Sequence, residues 1–445
     1  MNNLIEKYKL NLNEIKSIDW KTEESNDNSI LFYKFNSENI NALELFEKRI
    51  KDSKFKYCIV NSKKINIQNV IPIESEDWSE LQKQCCDKVY PIDLNTKKIV
   101  GITGTNGKTT TTDIIRQILV NEKKSVLTIG TLGVWKNEEN ISNFGLTSPS
   151  YIDLRKIIFQ NNDDQNIICE VSSHALDQNR YYGIKFDAAV WTSFSQDHLD
   201  YHKTMDDYFN SKAKIITKLK KDSKLFISKL DIEILSKLKN IEVEKVENNI
   251  EINNEFFKVP YNLKNLSLAE KVIASLGINI TMSFETLKPT PGRYNILSNK
   301  NPGGKVIIDF AHTPDAIENI ARVLKITYPA MKLVIVFGCG GDRDKIKRPL
   351  MAKAASLFAD YMYVTTDNPR FESPSEIIKD IIQGTNNKNF EIIEDRAIAI
   401  KTAINKFPNE IILIAGKGHE NYIDQNGSKR YYSDEAEVLK GISND

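Results

Sequence analysis

The chain has 445 residues, which corresponds to about three domains of ordinary size. Its 61 basic and 60 acidic residues leave a net charge near +1, so we expect neither a nucleic acid nor an anionic membrane as partner. No apolar run approaches the roughly 20 residues of a membrane-spanning helix, and we expect no signal peptide in the N-terminal sequence MNNLIEKYKL. The five cysteines form no C-x-x-C pair, which disfavours a disulfide framework or structural zinc and favours the reducing cytoplasm.

Residues 1–95 mix short strand and helix patterns and carry no recognisable chemical motif. The segments 30–35 and 56–62 are apolar with β-branched or aromatic residues, which predicts strands. The segment 40–50 has the apolar spacing of an amphipathic helix. This region is therefore predicted to be a small N-terminal α/β domain.

From residue 97 onward, strand and helix patterns alternate, which predicts a parallel sheet with crossover helices. We expect a central parallel-sheet domain over 96–290 that contains an exposed, weakly specified strand-and-turn region at 218–260, rich in Lys, Asn and Glu. The sequence KPTPGR at 288–293 contains helix- and strand-breaking residues and predicts a domain boundary. A second α/β pattern predicts a C-terminal domain over 291–445, with an open sheet of Rossmann-like type.

The sequence GTNGKTT, residues 104–110, lies between an apolar strand pattern and a helix pattern. Backbone N–H groups of such a turn, together with the N-terminus of the helix, favour phosphate binding. Lys108 would reach the β- and γ-phosphates, and the Thr109 hydroxyl would face Mg²⁺. The loop departs from the usual G-x-x-x-x-G-K-[ST] pattern because Ile102 occupies the first glycine position. The alternative is a generic glycine turn, but the preceding strand, the following helix and the Gly-Lys-Thr-Thr sequence favour nucleotide binding.

Two further polar segments follow apolar strands. Glu170, in ICEVSSHALDQNR, is predicted at the C-terminal edge of a strand, where it could hold Mg²⁺ near the phosphates. The segment 193–215 groups five polar side chains, and its Asp and His residues suit a divalent cation, although their spacing is not that of a closed zinc site. These five are Asp197, His198, Asp200, His202 and Lys212.

The second half contains four loops that mix glycine with charge, each directly after an apolar strand pattern. Their sequences are DFAHTPDA (309–316), GCGGDRDKIKRP (338–349), TTDNPRFESP (365–374) and AGKGHENY (415–422). Four such loops converging on one edge of a sheet predict a surface that binds small charged ligands.

Together, GTNGKTTT, EVSSHALDQNR, DHLDYH with YFNSKAK, DFAHTPD, GCGGDRDKIKRP, DNPR and AGKGHE resemble the Mur ligase family over roughly residues 97–440. The resemblance implies an ATP- and Mg²⁺-dependent amide ligase of peptidoglycan precursor synthesis that works through an acyl phosphate. It implies UDP-N-acetylmuramoyl-L-alanyl-D-glutamate as the acid and meso-diaminopimelate as the amine. It further implies a cytoplasmic monomer with a UDP-substrate domain (1–95), an ATP-binding domain (96–290) and an amino-acid-binding domain (291–445).

The family's functional residues carry over by motif. Catalytic roles would fall to Lys108, His198 and Lys212, the last matching a carbamylated lysine, although an exposed helix lysine remains an alternative and Lys214 lies nearby. ATP would bind Gly104, Thr105, Asn106, Gly107, Lys108, Thr109, Thr110, Asn265, Arg293 and Asp309. Metal would bind Thr109, Glu170, His198 and Lys212. The UDP substrate would contact Thr147, Ser148, Ser172, Gln178 and Arg180, and the amino acid would contact Arg343, Asn368, Arg370, Gly416 and Glu420.

The sequence leaves other functions open. Within the same class, the chain could act on another acid or amine, as an L-lysine-adding ligase or a folylpolyglutamate or poly-amino-acid synthetase does, although GCGGDRD, DNPR and GKGHE disfavour the latter. In other classes, a nucleotide-binding regulatory protein would be favoured if Glu170 or His198 were missing, and both are present. A P-loop kinase is disfavoured because a single acceptor pocket would not explain the second α/β half of the chain.

Overall fold

The computed structural model of the chain describes residues 3–35, 40–386 and 389–443 and has the predicted mixed α/β fold. The strands are β1 Ser17–Asp19, β2 Ser29–Tyr33, β3 Tyr57–Val60, β4 Val70–Pro72, β5 Lys98–Thr103, β6 Val126–Gly130, β7 Gly133–Lys136, β8 Glu139–Ser142, β9 Asn166–Glu170, β10 Phe186–Trp191, β11 Leu219–Ser228, β12 Glu244–Val246, β13 Asn295–Ser298, β14 Lys305–Asp309, β15 Leu333–Phe337, β16 Tyr361–Val364, β17 Phe390–Ile392, β18 Ile411–Ala415, β19 Tyr422–Gln425 and β20 Ser428–Tyr431. The helices are α1 Leu4–Lys7, α2 Ile40–Ile50, α3 Trp78–Val89, α4 Lys108–Asn121, α5 Tyr151–Gln160, α6 Ser173–Asp177, α7 Leu199–His202, α8 Met205–Ala213, α9 Ile232–Lys237, α10 Pro260–Ser275, α11 Pro314–Thr327, α12 Lys347–Ser356, α13 Pro374–Ile382, α14 Arg396–Lys406 and α15 Asp434–Ser443.

Within the described residues, the strands form four sheets. Their orders are β1-β2-β3-β4, then β12-β11-β10-β5-β9-β6-β7-β8, then β13-β14-β18-β15-β16-β17, and the hairpin β19-β20. By internal contacts the chain divides into two compact units. One comprises Met1–Gly101, Lys124–Ala188 and Lys214–Ser223, and the other Ile102–Lys123, Ala189–Ala213 and Lys224–Asp445.

The first unit contains the small parallel sheet β1–β4. Its core on one face packs Leu31, Cys58 and Val60 of the sheet against Phe46 and Ile50 of α2. The alternate side chains of β2 and β3 point to the same face, as the period of a strand requires. The predicted N-terminal strands and helix are confirmed in this sheet and helix.

The six-stranded sheet of the second unit places the predicted ligand loops. Strands β14, β18, β15, β16 and β17 run parallel, and only β13 is antiparallel to its neighbour β14. Strands β15 and β18 are buried along their whole length, as expected of a parallel sheet that is covered on both faces. Because parallel strands end at the same edge, the loops after β14, β15, β16 and β18 emerge side by side.

The stretch 218–260 differs from its predicted exposed state. It contains β11, helix α9 and β12, and the side chains of Leu225, Phe226 and Ile227 are buried. The many Lys, Asn and Glu residues mask this strand in the sequence because its first half is exposed and only the second half packs inward. Boundaries at 95/96 and 290/291 for three domains stay predictions. Within the described ranges, the search for a helix long and apolar enough to span a bilayer found none.

Candidate active site

The glycine-rich loop between β5 and α4 is held against the residues that follow β10. The amide of Thr105 donates to the Ser193 carbonyl (3.0 Å), and the amide of Asn106 donates to the Ser193 hydroxyl (2.8 Å). Gly107 has φ of 87°, and a side chain there would meet the Asn265 amide oxygen at 2.7 Å. Glycine is required at this position because the left-handed conformation and the close approach both exclude a Cβ atom.

Two lysines converge on one carbonyl of this loop. Lys108 Nζ donates to the carbonyls of Gly104 (2.8 Å) and Thr105 (2.9 Å). Lys212 Nζ, from α8, donates to the same Gly104 carbonyl at 2.8 Å. The position of Lys108 suits a site that binds the negative charge of phosphates.

Lys212 differs sharply from Lys214 in its surroundings. Lys212 is 1% exposed, whereas the side chain of Lys214 is 46% exposed and pairs with Asp177 at 2.7 Å. Burial, reinforced by the nearby charge of Lys108 and opposed by Asp197, lowers the pKa of Lys212 well below its ordinary value. A neutral amine can react with CO₂ to form a carbamate, so the environment of Lys212, and not that of Lys214, suits the predicted modification. Lys212 is therefore not the exposed helix lysine that the sequence left open.

A cleft beside the loop brings together most of the residues predicted to bind ATP. Arg293 donates to the Thr109 hydroxyl at 3.3 Å and lies over the Phe310 ring, 4.4 Å from its centroid. Asp309 accepts the Tyr294 amide at 2.8 Å, and burial raises the pKa of Asp309 although Arg293 opposes the change. Of the ten predicted residues, the cleft is lined by Asn106, Gly107, Thr110, Asn265, Arg293 and Asp309.

The residues present fit a nucleotide with its cation. The loop offers a glycine cradle that a Cβ would fill, and Lys108 and Lys212 stand beside it. Across the residues that the structure describes, no group of three or more His, Cys, Asp or Glu side chains could hold a metal ion. Mg²⁺ keeps several waters and binds through few protein ligands plus phosphates, so a sparse protein ligand set is compatible with it.

The predicted cation cluster of segment 193–215 does not assemble. Asp200 is exposed, and the buried His202 ring lies 3.3 Å from the Ser211 hydroxyl. Asp197 is buried and pairs instead with Lys347, Nζ to Oδ1 3.2 Å. His198, with φ of 57°, keeps its amide on Asp197 and remains a candidate ligand by itself. The residues are close along the chain, but the side-chain contact that the described residues show within the group joins Asp197 and His198, with His198 Nε2 3.4 Å from Asp197 Oδ2.

In the first unit, the residues predicted to contact the UDP substrate lie together at the end of β9. Ser148 donates to the Glu170 carbonyl (2.8 Å) and accepts the Ser172 amide (3.0 Å). Arg180 donates to the Ser148 carbonyl at 2.7 Å and to the side chain of Gln178. Thr147 and the Glu170 carboxylate both hydrogen-bond with the Thr131 hydroxyl. Glu170 is 1% exposed, at the strand end where the sequence placed it.

In the second unit, four of the residues predicted to bind the amino acid lie around the loops after β15, β16 and β18. Asn368 donates to Glu420 at 2.9 Å, and Arg370 donates to the Gly341 carbonyl at 2.7 Å. A Cβ on Gly340 would stand 2.9 Å from Arg370 and 3.7 Å from Arg343, so both arginines flank this glycine. Arg370 has φ of 52° and is held through its backbone by the hairpin β19-β20. The fifth residue, Gly416, directly follows β18, and its backbone amide donates to the backbone carbonyl of Asp309 at 3.1 Å.

Three polar residues at these sites carry contacts that sequence reasoning did not assign. Asp315 accepts from Asn106 (3.0 Å), Lys347 pairs with Asp197, and Lys417 is buried between Asn368 and Glu420. All three occur inside the quoted motifs DFAHTPDA, DRDKIKRP and GKGHE. The motif positions were the available signal, but Asn106, Asp197 and Asn368 lie 209, 150 and 49 residues from their partners, and only Glu420 is close to Lys417 in the sequence.

Comparisons with known proteins agree with this arrangement. Residues 102–299 match the Mur ligase middle domain, and residues 292–418 match the family described as Mur ligase, glutamate ligase domain. The chain is 39% identical over 377 residues to the UDP-N-acetylmuramoyl-L-alanyl-D-glutamate–2,6-diaminopimelate ligase of Aquifex aeolicus, covering 77% of each chain. It is 34% identical over 445 residues to the ligase of the same name from Fusobacterium nucleatum, covering 92% of this chain and 90% of the relative.

A solved structure shows the same fold at low identity. The MurF ligase from Thermotoga maritima in complex with ADP superposes with a TM-score of 0.63 at 15% identity, covering 100% of this chain and 99% of that one. At this identity the likeness concerns the fold alone.

Proposed function

The chain belongs to the Mur ligase family, and from this premise we propose that it joins meso-diaminopimelate to UDP-N-acetylmuramoyl-L-alanyl-D-glutamate at the expense of ATP. The reaction would be a step of peptidoglycan precursor synthesis. Two relatives whose names state this reaction are similar along most of their own length. We place the protein in the cytoplasm as a monomer; its five cysteines are free and buried, which is compatible with a reducing compartment.

The observation that carries the choice of amine is the arrangement of Arg370, Asn368 and Glu420. Meso-diaminopimelate differs from L-lysine by a carboxylate on its distal carbon. Arg370 offers a planar guanidinium suited to a carboxylate, and Glu420 offers an anion suited to the ammonium group beside it. Since the backbone of Arg370 is fixed by the hairpin β19-β20, its side chain starts from a defined position.

The chemistry has two steps. The carboxylate of the acid substrate attacks the γ-phosphorus of ATP, so ADP leaves and an acyl phosphate forms. The neutral amine of the second substrate then attacks the acyl carbon, inorganic phosphate leaves, and the nitrogen loses a proton. Lys108 and Arg293 would hold phosphate charge during the first step, and the buried loop would exclude water from the acyl phosphate. Mg²⁺, when bound, neutralises phosphate charge; Thr109 would hold one ion, and His198 with carbamylated Lys212 would hold a second. Glu170, in the first unit, stays a sequence prediction for a metal ligand.

The experiment measures ATP consumption with the UDP-dipeptide and either meso-diaminopimelate or L-lysine. We expect strong preference for diaminopimelate in the wild type. Arg370→Ala should lose most of it, because losing one charge-assisted pair in a partly buried site costs about 2–5 kcal/mol.

Arg322→Ala, an exposed arginine that pairs with Glu318 on α11, serves as the matched control and should keep the preference. Equal kcat/KM for the two amines in the wild type would reject diaminopimelate and leave the ligase class. Consumption driven only by another acid, such as a folate or a glutamate polymer, would reject the muramoyl substrate.

A further inference from the structure

Lys417 is a fully buried lysine at the centre of the predicted amino-acid site. Its side chain is 0% exposed, and its Nζ donates to Asn368 Oδ1 (3.1 Å) and Glu420 Oε2 (3.1 Å). Asp367 Oδ1 lies 3.8 Å from the same nitrogen. Asn368, Glu420 and Asp367 thus surround the Lys417 ammonium group. No substrate contact has been assigned to this lysine.

The glycines on either side of Lys417 turn its side chain inward. Gly416 and Gly418 have φ of 119° and 54°. A Cβ on Gly416 would lie 2.8 Å from Asp367 Oδ2, and one on Gly418 would lie 2.6 Å from the Gly292 carbonyl. The two glycines of the G-K-G sequence therefore allow the backbone conformation in which the Lys417 side chain is buried beneath the loops.

Lys417 also determines which way the Asn368 amide faces. A lysine ammonium has donors and no acceptor, so the atom of Asn368 that faces it must be the oxygen. The same Oδ1 accepts the Asp424 amide at 2.9 Å, so two donors agree on this orientation. Asn368 Nδ2 is then directed at Glu420 Oε2, 2.9 Å away.

The positive charge of Lys417 compensates the neighbouring carboxylates of Glu420 and Asp367. Burial and the neighbouring Asp367 raise the pKa of Glu420, while Lys417 opposes that rise and also helps to lower the pKa of Asp367. Both side-chain hydrogen bonds recorded for Glu420 among the described residues use Oε2, which leaves Oε1 for a ligand. Without Lys417, two buried carboxylates would face each other.

We propose that Lys417 is a positioning residue for amino-acid binding: it fixes the Asn368 amide and holds Glu420 so that Oε1 can receive the ammonium group of the incoming amino acid. The inference rests on the proposed function of this site. Lys417 itself contacts no reacting atom, since its partners are Asn368, Glu420 and Asp367.

The test compares Lys417→Met with the wild type and with Lys440→Met, an exposed lysine on α15 that pairs with Glu437. We expect the KM for meso-diaminopimelate to rise at least tenfold in Lys417→Met, with kcat and the KM for ATP changed less than threefold. Lys440→Met should match the wild type. An unchanged KM for diaminopimelate would overturn the role, including the case in which only the apparent kcat falls because part of the enzyme is misfolded.

A double variant guards against loss of folding. Lys417→Met combined with Glu420→Gln leaves Asp367 as the one carboxylate of this pair, and Arg396 and Arg370 still lower the pKa of Asp367, so the double variant should fold nearly as well as Glu420→Gln alone. We expect its KM for diaminopimelate to exceed that of Glu420→Gln at least threefold, because Asn368 Oδ1 has still lost one of its two donors and keeps only the Asp424 amide. Equal KM values, or failure of the double variant to fold, would refute the proposal. Wild-type enzyme that ligates no diaminopimelate would instead reject the proposed function itself.

Discussion

Asp197 and Lys347 form a buried ion pair across 150 residues of sequence, with Lys347 Nζ 3.2 Å from Asp197 Oδ1. Burial would raise the pKa of Asp197, but Lys347, with His198 and His312, holds it well below its ordinary value. Asp197 also accepts the amide of His198, the candidate metal ligand. The pair therefore ties the start of α12 to the segment that carries His198.

Breaking this pair should destabilise the protein strongly. Lys347→Met leaves Asp197 as a buried charge without its lysine, so we expect the free energy of unfolding to fall by about 3–5 kcal/mol. Adding Asp197→Asn should restore much of that loss, because the stranded charge is removed. Urea unfolding of both variants measures this. A double variant no more stable than Lys347→Met would show that the lysine acts through packing rather than charge.

Lys108→Ala should lose orders of magnitude in ligation while the fold survives. The ammonium group is removed from a site that must hold phosphate charge, whereas its hydrogen bonds to the carbonyls of Gly104 and Thr105 lie within the same loop. Steady-state kinetics measures the loss of ligation, and thermal unfolding checks that the fold survives. Lys124→Ala, an exposed lysine beyond α4, is the control. Near wild-type turnover in Lys108→Ala would rule out GTNGKTT as the ATP loop.

Lys212→Ala should be nearly inactive and partly rescued by formate or acetate, which can supply the anion that a carbamate would provide. The matched control is Lys214→Ala, which should stay active because Lys214 is exposed and pairs with Asp177. Turnover with and without added carboxylate measures the rescue, and mass spectrometry maps the carbamate. Full activity of Lys212→Ala, or a carbamate on Lys214, would reject the assignment.

Glu372 should make stability fall in acid. Hydrogen bonds from Arg348, aided by Lys345 and opposed by burial, lower the pKa of Glu372 to about 2 from an ordinary 4.5. A lowered folded-state pKa stabilises the fold fully above the unfolded pKa, and that contribution is lost as the pH falls from about 4.5 through about 2.

The stability difference between wild type and Glu372→Gln should therefore shrink by about 2–3 kcal/mol between pH 7 and pH 2. Urea unfolding across this range measures it. Glu376→Gln, at a largely exposed site on α13, should show little such change. A constant difference for Glu372→Gln would contradict the strength of its contact with Arg348.

Much of the site could be predicted from the sequence because its signals are local. The strand, glycine loop and helix around Lys108 are contiguous, and strand periodicity with glycine-rich ends placed four loops at one sheet edge. Parallel pairing then brings those loops together whatever the details of packing, since all such strands end at the same edge. The loops that carry Arg370, Asn368 and Glu420 were found for this reason, whereas the assignment of these residues to an amino-acid site came from the resemblance to the Mur ligase family.

Only the tertiary structure decided which neighbouring residues are buried and which distant residues pair. Lys212 and Lys214 are two positions apart, yet one is buried under the Gly104 carbonyl and the other is exposed, a difference set by packing of α8. The pairs Asp197–Lys347 and Asn106–Asp315 join segments 150 and 209 residues apart. Local sequence carries propensity and periodicity, whereas burial and charge pairing depend on which elements pack together, and that is a property of the whole folded chain.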